Sequence, residues 1–258
     1  MKFVEGWYLP DNEKHFSQYL IEAKNSKFPK EYQKIQRDNS IKYVEKFDTA
    51  IDIGACVGFW SKDLCKIFKK TICFEPYKQS SDCLVENLKG FHNYELYNVA
   101  LSNQSGKGEL LISEEGVGSN SLNDFALKSS KPITVEKKRL DDYNFMNVDY
   151  IKIDVQFYEL NVLQGAYKTL KFNNPLLCIE CARRNKEEMK FVKKINTLEF
   201  SKLKKSINEK NEIFVKNLAK KMYNGEAFIL RNAASKKLKN VIIQLAKECD
   251  RKQKPSFH

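Results

Sequence analysis

Apolar residues fall into two rhythms along this chain, and the change between them comes at Thr49. From Asp11 to Phe47 the segment is polar and rich in Lys and Glu, with Tyr, Phe, Ile and Leu at helical spacing. That pattern predicts two amphipathic helices, an N-terminal cover spanning residues 1–48. From Thr49 short apolar runs alternate with helical stretches, the order that builds a parallel sheet with helices on both faces. The runs are 49–54, 71–75, 94–100, 149–155 and 175–181; the helical stretches are 59–69, 78–88, one ending at Leu170 and one at 185–197. Residues 200–206 and 212–216 read as a closing strand pair around a turn at 208–211. The expected fold is therefore a doubly wound, mostly parallel α/β domain of seven strands over residues 49–216. Between its third and fourth strands lies a less regular stretch, 102–147, with a hairpin expected at 108–113 and a Gly-Ser-Asn-rich loop at 116–120. Residues 217–258 read as a basic helical tail with apolar positions such as Val241, Ile242, Ile243 and Leu245.

Composition narrows the picture. No run approaches the ~20 apolar residues of a membrane span, and Met1-Lys2-Phe3-Val4-Glu5-Gly6 lacks a signal-peptide pattern, so a soluble cytoplasmic protein is expected. The seven cysteines are scattered through periodic segments, which suits buried free thiols. Cys178 and Cys181 form the one C-x-x-C, on a predicted strand with no second pair or nearby histidine, so no metal site is expected. The formal net charge of +12 is uneven: residues 201–258 hold 15 Lys and Arg against 5 Asp and Glu. Nucleic-acid contact through that tail is a secondary expectation, and a small-molecule partner the primary one.

The strongest local signal is Asp52-Ile53-Gly54-Ala55-Cys56-Val57-Gly58, between a strand and a helix. Glycines there permit φ > 0 and close approach of backbone to a ligand. The spacing is D-x-G-x-x-x-G, without the third glycine of a dinucleotide loop, which disfavours a dehydrogenase. Asp52 beside the loop suits a ligand bearing a positive amine or sulfonium. Glu75, ending the next strand, is placed to accept hydrogen bonds from ribose hydroxyls. Together they fit a nucleoside carrying an amino acid, as S-adenosylmethionine does. Asp154, at the carboxyl end of the fourth strand, is the first candidate for a general base, with Glu159 and Lys152 in support.

These motifs, in order, resemble the FkbM family of O-methyltransferases. The resemblance runs through Asp52 to Gly58, Cys73-Phe74-Glu75-Pro76, Asn98-Val99-Ala100-Leu101-Ser102 and Lys152-Ile153-Asp154-Val155-Gln156-Phe157-Tyr158-Glu159-Leu160. Leu163-Gln164-Gly165-Ala166 and Leu177-Cys178-Ile179-Glu180 extend it. It implies a Rossmann-like, class I methyltransferase fold and methyl transfer from S-adenosylmethionine to a hydroxyl of a sugar or other small acceptor. The cofactor residues it implies are Asp52, Gly54, Ala55, Gly58, Glu75, Pro76, Asn98 and Ala100.

Two residues depart from the family pattern. Phe157 stands where the family places glycine after the fourth strand; in a turn with φ > 0 it costs roughly 1 to 2 kcal/mol, and its ring is expected beside the acceptor. Glu199 replaces a second glycine. A non-catalytic, cofactor-binding relative with its acceptor site blocked by Phe157 is therefore the first alternative, and an RNA ribose methyltransferase using the basic tail the second. Asp154-Val155-Gln156-Phe157 matches neither the Asp-Pro-Pro-aromatic motif of amino-directed DNA enzymes nor the Pro-Cys of cytosine-carbon enzymes.

Overall fold

The computed structural model describes residues 1–26, 31–114, 116–122, 130–179 and 228–230. Expectations for residues 180–227 and 231–258, including Cys181, Glu199, the helix at 185–197 and the strands at 200–206 and 212–216, lie outside the described residues.

The chain opens with a hairpin, β1 (Lys2–Val4) and β2 (Trp7–Leu9), in which Val4 pairs with Trp7. Its two turn residues, Glu5 and Gly6, have φ of 48° and 85°, the double positive φ that matches a two-residue turn to strand twist. The two expected cover helices follow as α1 (His15–Asn25) and α2 (Lys34–Ile41). Buried Arg37 fastens α2 to the domain through Asp63 at 2.5 Å, and Trp60 Nε1 donates to Gln33 Oε1 at 2.6 Å.

The central sheet is assembled from β3 (Thr49–Ile53), β4 (Lys70–Phe74), β5 (Tyr94–Tyr97), β9 (Val148–Ile153) and β10 (Leu176–Ile179), all parallel, in the order β10-β9-β3-β4-β5. Helices α3 (Phe59–Ile67) and α4 (Lys78–Asn87) follow β3 and β4; α5 (Glu159–Gly165) and α6 (Tyr167–Asn173) follow β9. Ile51, Ile53, Ile72, Phe74, Ile151 and Ile153 are buried in the main core, each worth about 1.5 to 3 kcal/mol relative to exposure. The chain winds outward from β3 to β5 and then returns to the other side of β3, so the switch point lies between β3 and β9. In open α/β sheets ligands bind outside the carboxyl ends of the strands at that point.

This is the Rossmann-related, class I methyltransferase-like architecture, but among the described residues the strands fall into more than one sheet. The apolar run 94–100 splits: β5 stays in the central sheet, while β6 (Ala100–Leu101) joins β7 (Gly106–Ser113) and β8 (Ser130–Lys138) in a separate sheet of order β6-β8-β7. The expected hairpin at 108–113 is one arm of a longer one, since β7 pairs along its whole length with β8. The 116–120 loop contains a 3-10 turn, Val117–Ser119. The helix ending at Leu170 is two helices, broken at Ala166.

The sixth strand of the central sheet, β11 (Phe228–Leu230), runs antiparallel to β10. It falls inside the segment read as a helical tail, so that reading is corrected for these three residues. The apolar Phe-Ile-Leu run after Asn224-Gly225 carries the strand signal. Among the described residues, no helix is long and apolar enough to cross a membrane.

Candidate active site

Three chain segments meet at the carboxyl ends of β3, β4 and β9. The turn after β3 is fixed by β4, because Gly54 N and Ala55 N both donate to Phe74 O at 3.0 Å. Gly54 has φ of 75°, and a Cβ there would lie 1.9 Å from Asp154 O. The glycine is required by the crossing of two backbones, the β3 and β9 turns, independently of any ligand. Gly58, with φ of 91°, starts α3.

Asp52 does not face the cleft. It is fully buried, its Oδ2 accepts from Ser61 Oγ at 2.6 Å, and its Oδ1 lies 3.2 Å from Lys152 Nζ, an ion-pair contact without hydrogen-bond alignment. Lys152 is its register partner on β9 and donates to Gly54 O at 2.7 Å. The two residues form a cross-strand charge pair under the loop. The expectation that Asp52 meets a cationic ligand is corrected: both faces of a central parallel strand are covered, so its charge is met inside the protein.

Glu75 does reach the cleft, with Pro76 beside it. Its Oε2 accepts from Cys56 N and its Oε1 from Tyr77 N, each at 2.8 Å. Burial pushes this carboxyl up to about 7 despite those two bonds. Each oxygen retains acceptor capacity, so a hydroxyl-bearing ligand would meet an acceptor and favour the ionised form. Asn98 is exposed and sits behind this position, donating from Nδ2 to Glu75 O at 3.2 Å. Ala100 lies in the cleft wall.

On the opposite wall the turn after β9 presents Asp154, whose Oδ1 accepts from Gln156 Nε2 at 3.0 Å and whose Oδ2 lies 3.7 Å from Lys152 Nζ. Gln156 and Phe157 are both left-handed, with φ of 50° and 73°. The expected strain at Phe157 is therefore present. Its ring is not in the cleft, which is lined by Val155, Gln156 and Tyr158 instead. Phe157 does not block the site, and the reading built on that block is corrected. Glu159 likewise turns away: its Oε1 accepts from Val155 N and Phe157 N, each at 3.2 Å, fastening the turn. Burial, then the charge of Asp154, lifts its carboxyl to about 7. Phe157→Gly is expected to relieve about 1 kcal/mol of backbone strain and to leave S-adenosylhomocysteine affinity at the parental value. Titration calorimetry checks this, and a several-fold change in affinity would return the ring to the cleft.

The cleft encloses about 820 Å³ of empty space, part of it open to solvent. Its roof is built by Phe16 and Tyr32 from the N-terminal cover, and by Val117, Gly118 and Ser121 from the loop after β7. Phe16, Tyr32 and Phe59 interlock, with ring centroids 5.0 to 5.1 Å apart. A Cβ on Gly118 would lie 2.6 Å from the Phe16 ring. Only the helical spacing of Phe16 marked it in the sequence, and that marked it as core.

The domain described as "Methyltransferase FkbM domain" matches residues 52–212. No curated protein matches the chain. Among solved structures, methyltransferase FkbM from Methylobacillus flagellatus KT shares 13% identity over 64% of this chain and 44% of that one, with a TM-score of 0.37. This chain thus spans less than half of that relative. An rRNA methylase from Streptococcus thermophilus shares 14% identity over 56% of this chain and 68% of that one (TM-score 0.37). A precorrin 8W decarboxylase from Methanobacterium thermoautotrophicum shares 10% over 77% and 81% (TM-score 0.42).

Proposed function

Since the chain belongs to the FkbM methyltransferase family, and is thereby an S-adenosylmethionine-dependent methyltransferase, we propose that its acceptor is a hydroxyl of a sugar or other small molecule, bound against Asp154. The supporting observation is that Glu75 and Asp154, at the ends of strands flanking β3, open onto one cleft with the Gly54 turn between them. S-adenosylmethionine supplies a methyl group bonded to a positively charged sulfur. The Gly54 to Cys56 backbone and Glu75 hold its nucleoside, Glu75 through the ribose hydroxyls, with Pro76 and Ala100 as walls. Asp52, Gly58 and Asn98 act behind this surface by fixing the loop and Glu75.

At the acceptor end, Asp154 would take the proton of the acceptor hydroxyl, to which bound S-adenosylmethionine would supply the methyl group. Lys152 neutralises the charge of Asp52, and its Nζ lies 3.7 Å from Asp154 Oδ2. Glu159 supports the turn and takes no part in proton transfer. Positioning and exclusion of water by the aromatic roof supply the rest of the acceleration.

The test is a methyl-transfer screen with labelled S-adenosylmethionine against free sugars, glycans and RNA, run with parent and Asp154→Asn. Asparagine keeps an oxygen for Gln156 but cannot accept the proton. Turnover is expected to fall at least about 100-fold, as for loss of a general base, with S-adenosylhomocysteine affinity nearly parental. Equal losses in both quantities would remove Asp154 from proton transfer, and labelling of RNA alone would replace the small-acceptor reading.

A further inference from the structure

We propose that Glu13 is a positioning residue that holds the cleft roof closed over bound cofactor. The proposal rests on the methyltransferase reading above for the identity of the ligand. Glu13 lies outside residues 52–212, the span matched by the family domain, so the family motifs assign it nothing.

Glu13 is 1% exposed, and both of its carboxylate oxygens accept from main-chain N–H groups in different parts of the molecule. Oε1 accepts from Phe16 N at 2.7 Å, in the first turn of α1. Oε2 accepts from Val117 N at 2.6 Å, at the start of the 3-10 turn 104 residues away. One side chain thus caps two helical N-termini, where unpaired N–H groups favour a negative charge. Gly116 leaves room for it: a Cβ there would lie 3.0 Å from both carboxylate oxygens. The Glu13 carbonyl is itself held, accepting from Lys2 Nζ at 2.5 Å and Ser17 Oγ at 2.8 Å.

The two residues it joins, Phe16 and Val117, both line the cleft. Their side of the cleft is the N-terminal cover and the β7 loop, and Glu13 makes these one piece. The loop has other anchors that do not involve Glu13. Leu111 and Ser121 exchange backbone bonds at 2.8 and 3.1 Å, and Ser121 Oγ donates to Gln156 O. Loss of the carboxylate therefore frees residues 116 to 118 and the start of α1 while the sheet beneath stays paired.

The consequence is kinetic. A roof that must open for ligand exchange opens more often without its latch, so dissociation accelerates more than association. For Glu13→Ala and Glu13→Gln, S-adenosylhomocysteine should dissociate about tenfold faster, a typical coupling between a gate and a site, with amide exchange accelerated at Val117 and Phe16. Glutamine retains one acceptor oxygen and presents N–H to the other donor, so it breaks one arm and decides the matter if the alanine variant does not fold. Stopped-flow displacement and hydrogen exchange on the full chain supply the readouts. Lowered thermal stability with a parental dissociation rate in both variants overturns the latch and leaves Glu13 a purely structural cap. A parent protein that does not bind S-adenosylhomocysteine overturns the latch and the cofactor reading together.

Discussion

Asp52→Ala is expected to unfold the domain far more readily rather than only weaken ligand binding. Removing this carboxylate leaves the Lys152 ammonium buried at 6% side-chain exposure, with Gly54 O as its nearest acceptor. Breaking one partner of a buried pair costs about 3 to 5 kcal/mol. At roughly 2 to 4 °C per kcal/mol for a chain of this size, that is a fall in Tm of roughly 6 to 20 °C. The same bookkeeping predicts that Asp52→Ala combined with Lys152→Met recovers much of the loss, because the buried ammonium is removed with its partner; Asp154, which then loses a contact of 3.7 Å, is the less buried carboxylate at 16% side-chain exposure. Thermal denaturation of the two variants decides it. A single variant melting at the parental temperature but binding S-adenosylhomocysteine weakly would restore Asp52 to the ligand.

Gly54→Ala should abolish measurable cofactor binding and destabilise the fold. A Cβ at 1.9 Å from Asp154 O meets backbone, which cannot rotate away as a side chain could. Asp154 N in turn donates to Ile53 O at 3.1 Å, so relief of the clash means pulling β9 from β3 at the switch point. Alanine at φ of 75° adds its own cost, about 1 to 2 kcal/mol. The combined displacement moves Ala55 and Asp154 together, and an affinity loss of at least about 100-fold is expected from misplacement alone. Gly58→Ala is the control. Its φ is also positive, but its nearest neighbour is the Leu84 side chain at 3.2 Å, so a smaller loss is expected. Calorimetry with S-adenosylhomocysteine separates the two, and near-parental binding by Gly54→Ala would show that the crossing is looser than it stands here.

The strands of the central sheet were legible because a parallel sheet buried on both faces writes itself as short apolar runs, such as Ala50-Ile51 and Tyr150-Ile151. Gly54, Glu75 and Asp154 stand at the ends of those runs, and all three line the cleft. The direction of Asp52 was misread, although its counterpart was in view: opposite charges at matching depth in two central strands have to meet each other. The first hairpin also left a trace, a Glu-Gly pair between Lys-Phe-Val and Trp-Tyr-Leu, but strands of three residues are too short for periodicity to register. The joint inside the roof was illegible for a different reason. Glu13 and Val117 are joined by a carboxylate and a backbone N–H, and backbone partners carry no residue-type signal. Phe157 shows the limit of motif reading in the opposite sense, since its strain was foreseen while the side on which its ring falls was not.

The late position of β11 bears on how this protein is born. Strand β10 ends at Ile179 and its antiparallel partner starts at Phe228, about 50 residues further on. At about 5 to 20 residues per second of synthesis, that separation corresponds to roughly 3 to 10 s. During that interval the nascent sheet presents Leu177, Cys178 and Ile179 along an unpaired margin, the kind of margin that recruits strands from other chains. Slower translation across residues 180–227 lengthens the exposure, and an excess of chaperone acting on the ribosome-bound chain shortens its effect. Yield on overexpression should therefore respond to codon choice in that segment more than to codon choice before Thr49.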